Sequence, residues 1–241
     1  MTAPRPVALV TGAGRRVGRA IAVHLAGRDY DVAVHFNRSE GAARETVEKC
    51  RARGVKAQWF AADLSDPSNA GMLVERVIAS FGRLNALVNS AAVMLTTPLQ
   101  TISVAQWDQI FAVNLRAPFF LSLAAERAMP EGGSIVNIAD HLAEESWPQL
   151  VPHGISKAGI IAMTKHLALQ FAPRVRVNAV SPGAVMAPND WPVEARERFV
   201  QDTPLKRLGT PEDVAGAVAY LLAAPYVTGQ VIVVDGGRHI R

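Results

Sequence analysis

Short apolar runs alternate along this chain with longer stretches of helical period, and that alternation leaves few folds open to it. The runs lie at 6–10, 31–36, 55–60, 84–89, 134–139, 175–180 and 230–234, and the helical stretches at 17–28, 40–53, 67–81, 104–128, 154–171 and 211–224. Ser39, Asp66-Pro67 and Thr210-Pro211 supply start signals for three of those helices. Strands separated by helices cannot pair as hairpins and must lie parallel, covered on both faces. The expected class is therefore α/β: a single Rossmann-type, doubly wound parallel sheet of seven strands, with residues 1–241 as one domain. No Ser/Gly-rich linker, repeat or low-complexity stretch divides it. In such a sheet ligands bind beyond the carboxyl ends of the strands, so the residues after each run matter most.

Composition narrows the setting. With 241 residues, 49% of them apolar, the chain can bury one sizeable core. Its one cysteine, Cys50, excludes a disulfide framework and a cysteine-based zinc module, and points to a reducing, cytoplasmic compartment. No run of about 18 apolar residues exists for a membrane span, and Pro4, Arg5 and Pro6 interrupt any signal-peptide core, so a soluble, unprocessed protein is expected. A net charge of +4 raises the question of nucleic acid. Residues 1–60, however, hold 11 Lys plus Arg against 5 Asp plus Glu, and residues 61–241 hold 14 against 16. The excess gathers where a cofactor's phosphates are expected, and no basic run or nucleic-acid module accompanies it.

After the first run comes Thr11-Gly12-Ala13-Gly14-Arg15-Arg16-Val17-Gly18, opening a helix. Glycines there let the backbone approach a pyrophosphate seated on the helix N-terminus; a tight strand-to-helix turn is the plainer reading. The second strand ends Asn37-Arg38-Ser39 with no carboxylate to take the adenosine ribose hydroxyls of NAD. Arg38 and Ser39, with Arg15 or Arg16, suit a 2′-phosphate, which favours NADPH/NADP. Asp63-Leu64 and Asn89-Ser90-Ala91 would line the adenine and ribose side, although Asp63 serves equally well as a loop cap.

These segments, with Asn114 in a long helix, Ser181-Pro182-Gly183 and the final VTGQVIVVDGG, resemble the short-chain dehydrogenase/reductase family over essentially the full length. Within it the chain is most similar to pteridine reductases, through Arg16 at the middle glycine of the loop, Asn37-Arg38-Ser39, and Asp140 at the usual catalytic serine. The resemblance implies a catalytic set of Asn, Ser, Tyr and Lys. Here Asn114 and Lys157 are kept, Asp140 replaces Ser, and His153 stands in the Tyr position, four residues before Lys157 on one helical face.

By that resemblance Asn114 anchors a water, Lys157 binds the nicotinamide ribose, and Pro182-Gly183 border the nicotinamide; Ala187 stands where relatives carry a threonine. A reference imidazole titrates about 3.5 units below a phenol, so a neutral His153 is expected at pH 7. Asp140 offers a second donor if burial keeps its proton, whereas Lys157 favours the carboxylate. Met94 stands where protozoan relatives place a pterin-stacking aromatic, and Trp147 and Trp191 are candidates to supply that surface instead. His24, His35, His141, His166 and His239 lack metal-ligand spacing, so no metal is expected. No G-x-S-x-G elbow supports hydrolysis. The expectation is an NADPH-dependent, pteridine-reductase-like enzyme acting on C=N or C=O in a flat heterocycle such as dihydropterin or dihydrofolate. The alternatives are an NADPH-binding sensor or partner subunit and a carbonyl reductase of the 3-oxoacyl type. A homotetramer is implied through the helices at 104–128 and 154–171.

Overall fold

A computed structural model describes residues 4–129, 132–185 and 191–240. Seven parallel strands are ordered β3-β2-β1-β4-β5-β6-β7: β1 Val7–Val10, β2 Asp31–Phe36, β3 Ala57–Ala61, β4 Ala86–Asn89, β5 Gly133–Ile138, β6 Val175–Pro182 and β7 Val231–Val234. The order reverses between β1 and β4, which opens a crevice beyond their carboxyl ends. The helices are α1 Arg16–Ala26, α2 Glu40–Arg51, α3 Ser68–Phe81, α4 Val104–Phe111, α5 Ala117–Ala128, α6 Val151–Phe171, α7 Val193–Asp202 and α8 Pro211–Ala223.

Successive side chains of a strand point to opposite faces, and β1 shows the result. Ala8 and Val10 join the core beneath α1, α2 and α8, with Ile21, Val47 and Val218. Val7 and Leu9 join the opposite core beneath α3, α5 and α6, with Leu73, Leu121 and Ile160. Cys50 lies wholly in the first core, where burial pushes its thiol up to about 12 against the opposing Arg53 charge.

Two elements depart from the sequence pattern. The stretch 104–128 is not one helix: Ala112–Arg116 widens into a π-turn between α4 and α5. Pro118 explains the widening, because it has no N–H for the Asn114 carbonyl and its ring would clash there in an α-helix. α7 was not legible as a helix, since its sequence VEARERFVQD buries only Phe199. Thr210 caps α8 reciprocally with Asp213, as its start signal implies. Ser39 precedes α2 without a side-chain cap bond.

Candidate active site

The turn after β1 has the shape a phosphate cradle needs. Gly12 sits at φ +64, and a Cβ there would stand 2.8 Å from Ala91 Cα. A Cβ on Gly18 would stand 2.5 Å from the Gly12 carbonyl, so α1 lies directly against the turn. α1 starts with no side-chain cap and no acidic residue in its first turn, which leaves its N–H groups and positive dipole end for an anion. Gly14 is buried, Val17 half-buried, and Arg15 and Arg16 are exposed at the helix start. Arg16 holds φ +52, the backbone region in which the family's glycine is at ease.

Neighbouring strand ends complete this half. Asn37 and Arg38 are exposed beyond β2 and Ser39 is half-buried. Asp63 accepts the Ser65 N–H at 3.0 Å and the Ser65 hydroxyl at 2.8 Å, and those bonds, with Arg38 and Asn37 beside it, lower its pKa. It is thus a loop cap at the crevice edge, with Leu64 buried behind it. The Thr11 hydroxyl accepts N–H bonds from Ser90 at 2.9 Å and Ala91 at 3.0 Å, tying the β1 and β4 turns together. Asn89, expected to face the cofactor, instead turns its side chain inward: its amide donates to Asn137 Oδ1 at 2.8 Å and Ser122 Oγ at 3.2 Å. It acts as a brace between β4 and β5.

The other half of the crevice gathers Asn114, Asp140, His153 and Lys157. Asn114 is fully buried in the π-turn; its Oδ1 accepts the Val93 N–H at 2.7 Å and its Nδ2 donates to Val93 O at 2.9 Å. The His153 ring has Nδ1 3.3 Å from Val93 O and Nε2 3.4 Å from Asp140 Oδ2. Side-chain exposure is 26% for Asp140 and 3% for His153, so the carboxylate, not the imidazole, meets the cleft. Lys157 is buried and donates from Nζ to Ile138 O at 2.7 Å; burial lowers it to about 8 while the Asp140 charge resists.

The structure decides the protonation of Asp140. Burial pushes its carboxyl up, but hydrogen bonds from His141, His153 and the Leu142 N–H outweigh burial and hold it well below the ordinary carboxylate range. Asp140 is an ionised acceptor rather than a neutral donor. His141 is the partner that spacing arguments missed, because a search for metal ligands never asks what lies beside a lone carboxylate. Its Nδ1 stands 3.0 Å from Asp140 Oδ1 and 3.3 Å from Pro182 O at the end of β6, beside Gly183.

Around this centre Trp147 Nε1 donates to Glu145 Oε1 at 3.2 Å, and Arg238 Nη2 donates to the same oxygen at 2.9 Å. The Arg238 guanidinium lies 4.1 Å over the Phe199 ring, which packs 5.3 Å from Trp191. Trp147 and Trp191 thus belong to one wall that joins the catalytic loop, α7 and the C-terminal turn. Met94 is 53% exposed. Ala187 lies outside the described residues. Among the described residues no cluster of His, Cys, Asp or Glu is arranged to hold a metal.

A sheet reversal crowned by a glycine turn, with a buried lysine one helical turn from a group paired to the β5 end, defines a dinucleotide-dependent oxidoreductase. Residues 12–239 match the family described as Enoyl-(Acyl carrier protein) reductase. A protein described as ketoacyl reductase 2 of the granaticin polyketide synthase, from Streptomyces violaceoruber, is 37% identical over 98% of this chain and 96% of its own length. The 3-oxoacyl-[acyl-carrier-protein] reductase FabG of Staphylococcus aureus is 33% identical over 97% and 98%. Acetoin dehydrogenase from Enterobacter cloacae superposes with a TM-score of 0.91, at 35% identity over 99% of this chain and 97% of that one. A blue fluorescent protein from a metagenomic library, solved in complex with NADPH, superposes at 0.90, with 33% identity and 97% coverage of both chains. The chain belongs to the short-chain dehydrogenase/reductase family.

Proposed function

We propose that this oxidoreductase uses NADPH to reduce a carbonyl of the 3-oxoacyl kind, with the Asp140–His153 pair in place of the family's hydroxyl donors. The observation that carries this reading is the 3.4 Å approach of His153 Nε2 to Asp140 Oδ2, on the helical face that also carries Lys157. The ketoacyl and 3-oxoacyl reductases among its relatives support a carbonyl substrate over a pterin.

The turn from Gly12 to Gly18 would hold the pyrophosphate on the free N–H groups of α1, and the exposed Arg16 and Arg38 would take a 2′-phosphate. When bound, the nicotinamide supplies hydride. Lys157 would fix the ribose hydroxyls and present its positive charge to the reacting end. The proton for the oxygen that gains charge would pass from His153 Nε2 by way of Asp140 Oδ2, the member of the pair that meets the cleft. Asn114 holds Val93, and so the wall against which His153 rests.

The test is NADPH oxidation with acetoacetyl thioesters, acetoin-type diketones, dihydropterin and cyclic imines, with NADH as control. Carbonyl turnover that Lys157→Ala abolishes supports the reading. NADPH binding without any turnover would leave a cofactor-binding partner subunit, which a gain of carbonyl reduction in His153→Tyr would reinforce. One observation favours C=N as a second substrate class. The ionised Asp140 facing the cleft complements the N–H of a protonated imine or heterocycle, and in that case dihydropterin outruns the thioester.

We also propose a homotetramer. Trp107, Phe119, Phe120 and Leu169 leave apolar surface exposed on α4, α5 and α6, and the same three helices contribute Phe111, Phe119 and Met163 to a cleft of 1080 Å³. Sedimentation at four chain masses is the expected result.

A further inference from the structure

His141 has no part in the chemistry described so far, yet it is the most heavily engaged side chain beside Asp140. The two oxygens of that carboxylate are used differently. Oδ1 receives the Leu142 N–H at 3.0 Å and pairs with His141 Nδ1 at 3.0 Å, while among the described residues Oδ2 meets His153 Nε2 alone, at 3.4 Å. A carboxylate pinned through one oxygen cannot rotate, so the other keeps a fixed direction toward His153 and the cleft. His141 is itself enclosed. Its ring meets Trp147 edge to face at 6.0 Å, and Pro182 O at the end of β6 lies 3.3 Å from Nδ1. Its Nε2 is buried with no hydrogen-bond partner among the described residues, and the charge it faces is Glu145 Oε2 at 3.9 Å.

We propose that His141 is a positioning residue, held as an imidazolium between Asp140 and Glu145, that fixes Asp140 Oδ2 against His153 for the proton step. This rests on the reductase reading of the site. An imidazolium suits both ends of the ring, since each nitrogen lies within ion-pair distance of a carboxylate oxygen, Nδ1 at 3.0 Å from Asp140 and Nε2 at 3.9 Å from Glu145, whereas a neutral ring would leave a lone pair on one of those sides. The charged groups around it agree. Asp140 and Glu145 favour the cation, Arg238 balances Glu145 from the C-terminal turn, and Lys157 balances Asp140 from α6. Burial lowers the His141 pKa, but the two carboxylates and the Pro182 carbonyl outweigh it and leave the ring above its ordinary value.

Two measurements test this. The first needs no substrate: the ring carbons of His141 are titrated by NMR in wild type and Asp140→Asn. His141 is expected to hold its proton above the free-imidazole midpoint in wild type and to shift to lower pH in the variant. A midpoint at or below the free value, or one indifferent to Asp140, overturns the proposal. The second compares kcat, KM and the pH profile of His141→Ala and His141→Asn, the latter keeping an N–H donor near the Nδ1 position. The expected result is a fall in kcat of about tenfold or more in His141→Ala with KM within about twofold, since misplacing a reacting group costs rate more than binding. His141→Asn restores most of that rate but alters the alkaline limb. Wild-type kcat and an unchanged profile in His141→Ala also overturn the proposal. If wild type itself reduces no substrate, the reductase reading has failed, and the NMR titration alone decides whether His141 clamps Asp140.

Discussion

His35 Nδ1 accepts the Gly12 N–H at 3.1 Å while its Nε2 faces the Ala62 carbonyl at 3.0 Å, so one buried ring ties the phosphate turn to the ends of β2 and β3. The two partners fix the tautomer: the proton is on Nε2, and a second proton would set N–H against N–H. Burial accordingly lowers His35 to about 4.

That shift gives an acid sensitivity with a definite sign. Between pH 6.5 and 4 the unfolded chain binds a proton that the folded chain refuses, so stability falls as pH drops through that window, by roughly 3 kcal/mol in all. His35→Gln is expected to lose about 1–3 kcal/mol at pH 7 through the broken bonds. Its further decline from pH 7 to 5 should be smaller than that of wild type by about 2 kcal/mol. Urea midpoints at the two pH values check this, and parallel declines would remove His35 as the cause.

Lys157 is the opposite case of a group kept at a cost. Burial lowers it to about 8, so its charge is harder to carry folded than unfolded. Lys157→Met should raise stability by about 1–2 kcal/mol, as replacing a buried charge by an apolar side chain often does, while abolishing NADPH turnover. Thermal melts and assays on the same preparation read both effects, and a destabilised variant would contradict the expectation.

Arg16 combines an unfavourable backbone angle with a useful charge. Arg16→Gly relieves φ +52 and should stabilise the chain by up to about 1 kcal/mol. The same change should lower the preference for NADPH over NADH, measured as the ratio of their kcat/KM values. An unchanged ratio would move 2′-phosphate recognition to Arg38 and Arg15.

Arg238 joins the C-terminal turn to the catalytic loop by a forked bond to Glu145, at 2.9 and 3.3 Å, and by its stack on Phe199. Arg238→Ala should lower kcat at least about fivefold, and Arg238→Lys should not rescue it, because an ammonium lacks the planar fork. Full activity in either variant would show that the wall around Trp147 and Trp191 stands without this link.

Much of the fold could be read directly, for local reasons. The runs that became strands carry apolar residues on both faces, which only a sheet covered on both sides accepts, and Gly12, Gly14 and Gly18 mark the turn at its switch point. What escaped was set by contacts distant in sequence. Asn89 looked like a cofactor ligand because of its place in the motif, yet Asn137, 48 residues on, draws its side chain inward. Asp140 had an open protonation state until His141, His153 and the Leu142 N–H were seen to converge on it. His35 lies in an apolar strand with no spacing to mark a role beyond the absence of a metal, since only the folded chain brings Gly12 and Ala62 to its two nitrogens. The π-turn at Ala112–Arg116 follows from the missing N–H of Pro118, a local signal that the strong helical period of the surrounding residues masks.

The sealed thiol of Cys50 has a practical consequence. At neutral pH it offers alkylating reagents neither access nor a thiolate, and the chain has no other cysteine. A cysteine introduced at an exposed position of α7, such as Glu197→Cys, would therefore take a maleimide dye alone, with the native core untouched. Fluorescence from that dye would follow α7 and the Arg238 wall as cofactor and substrate arrive, in a protein that needs no cysteine removed beforehand.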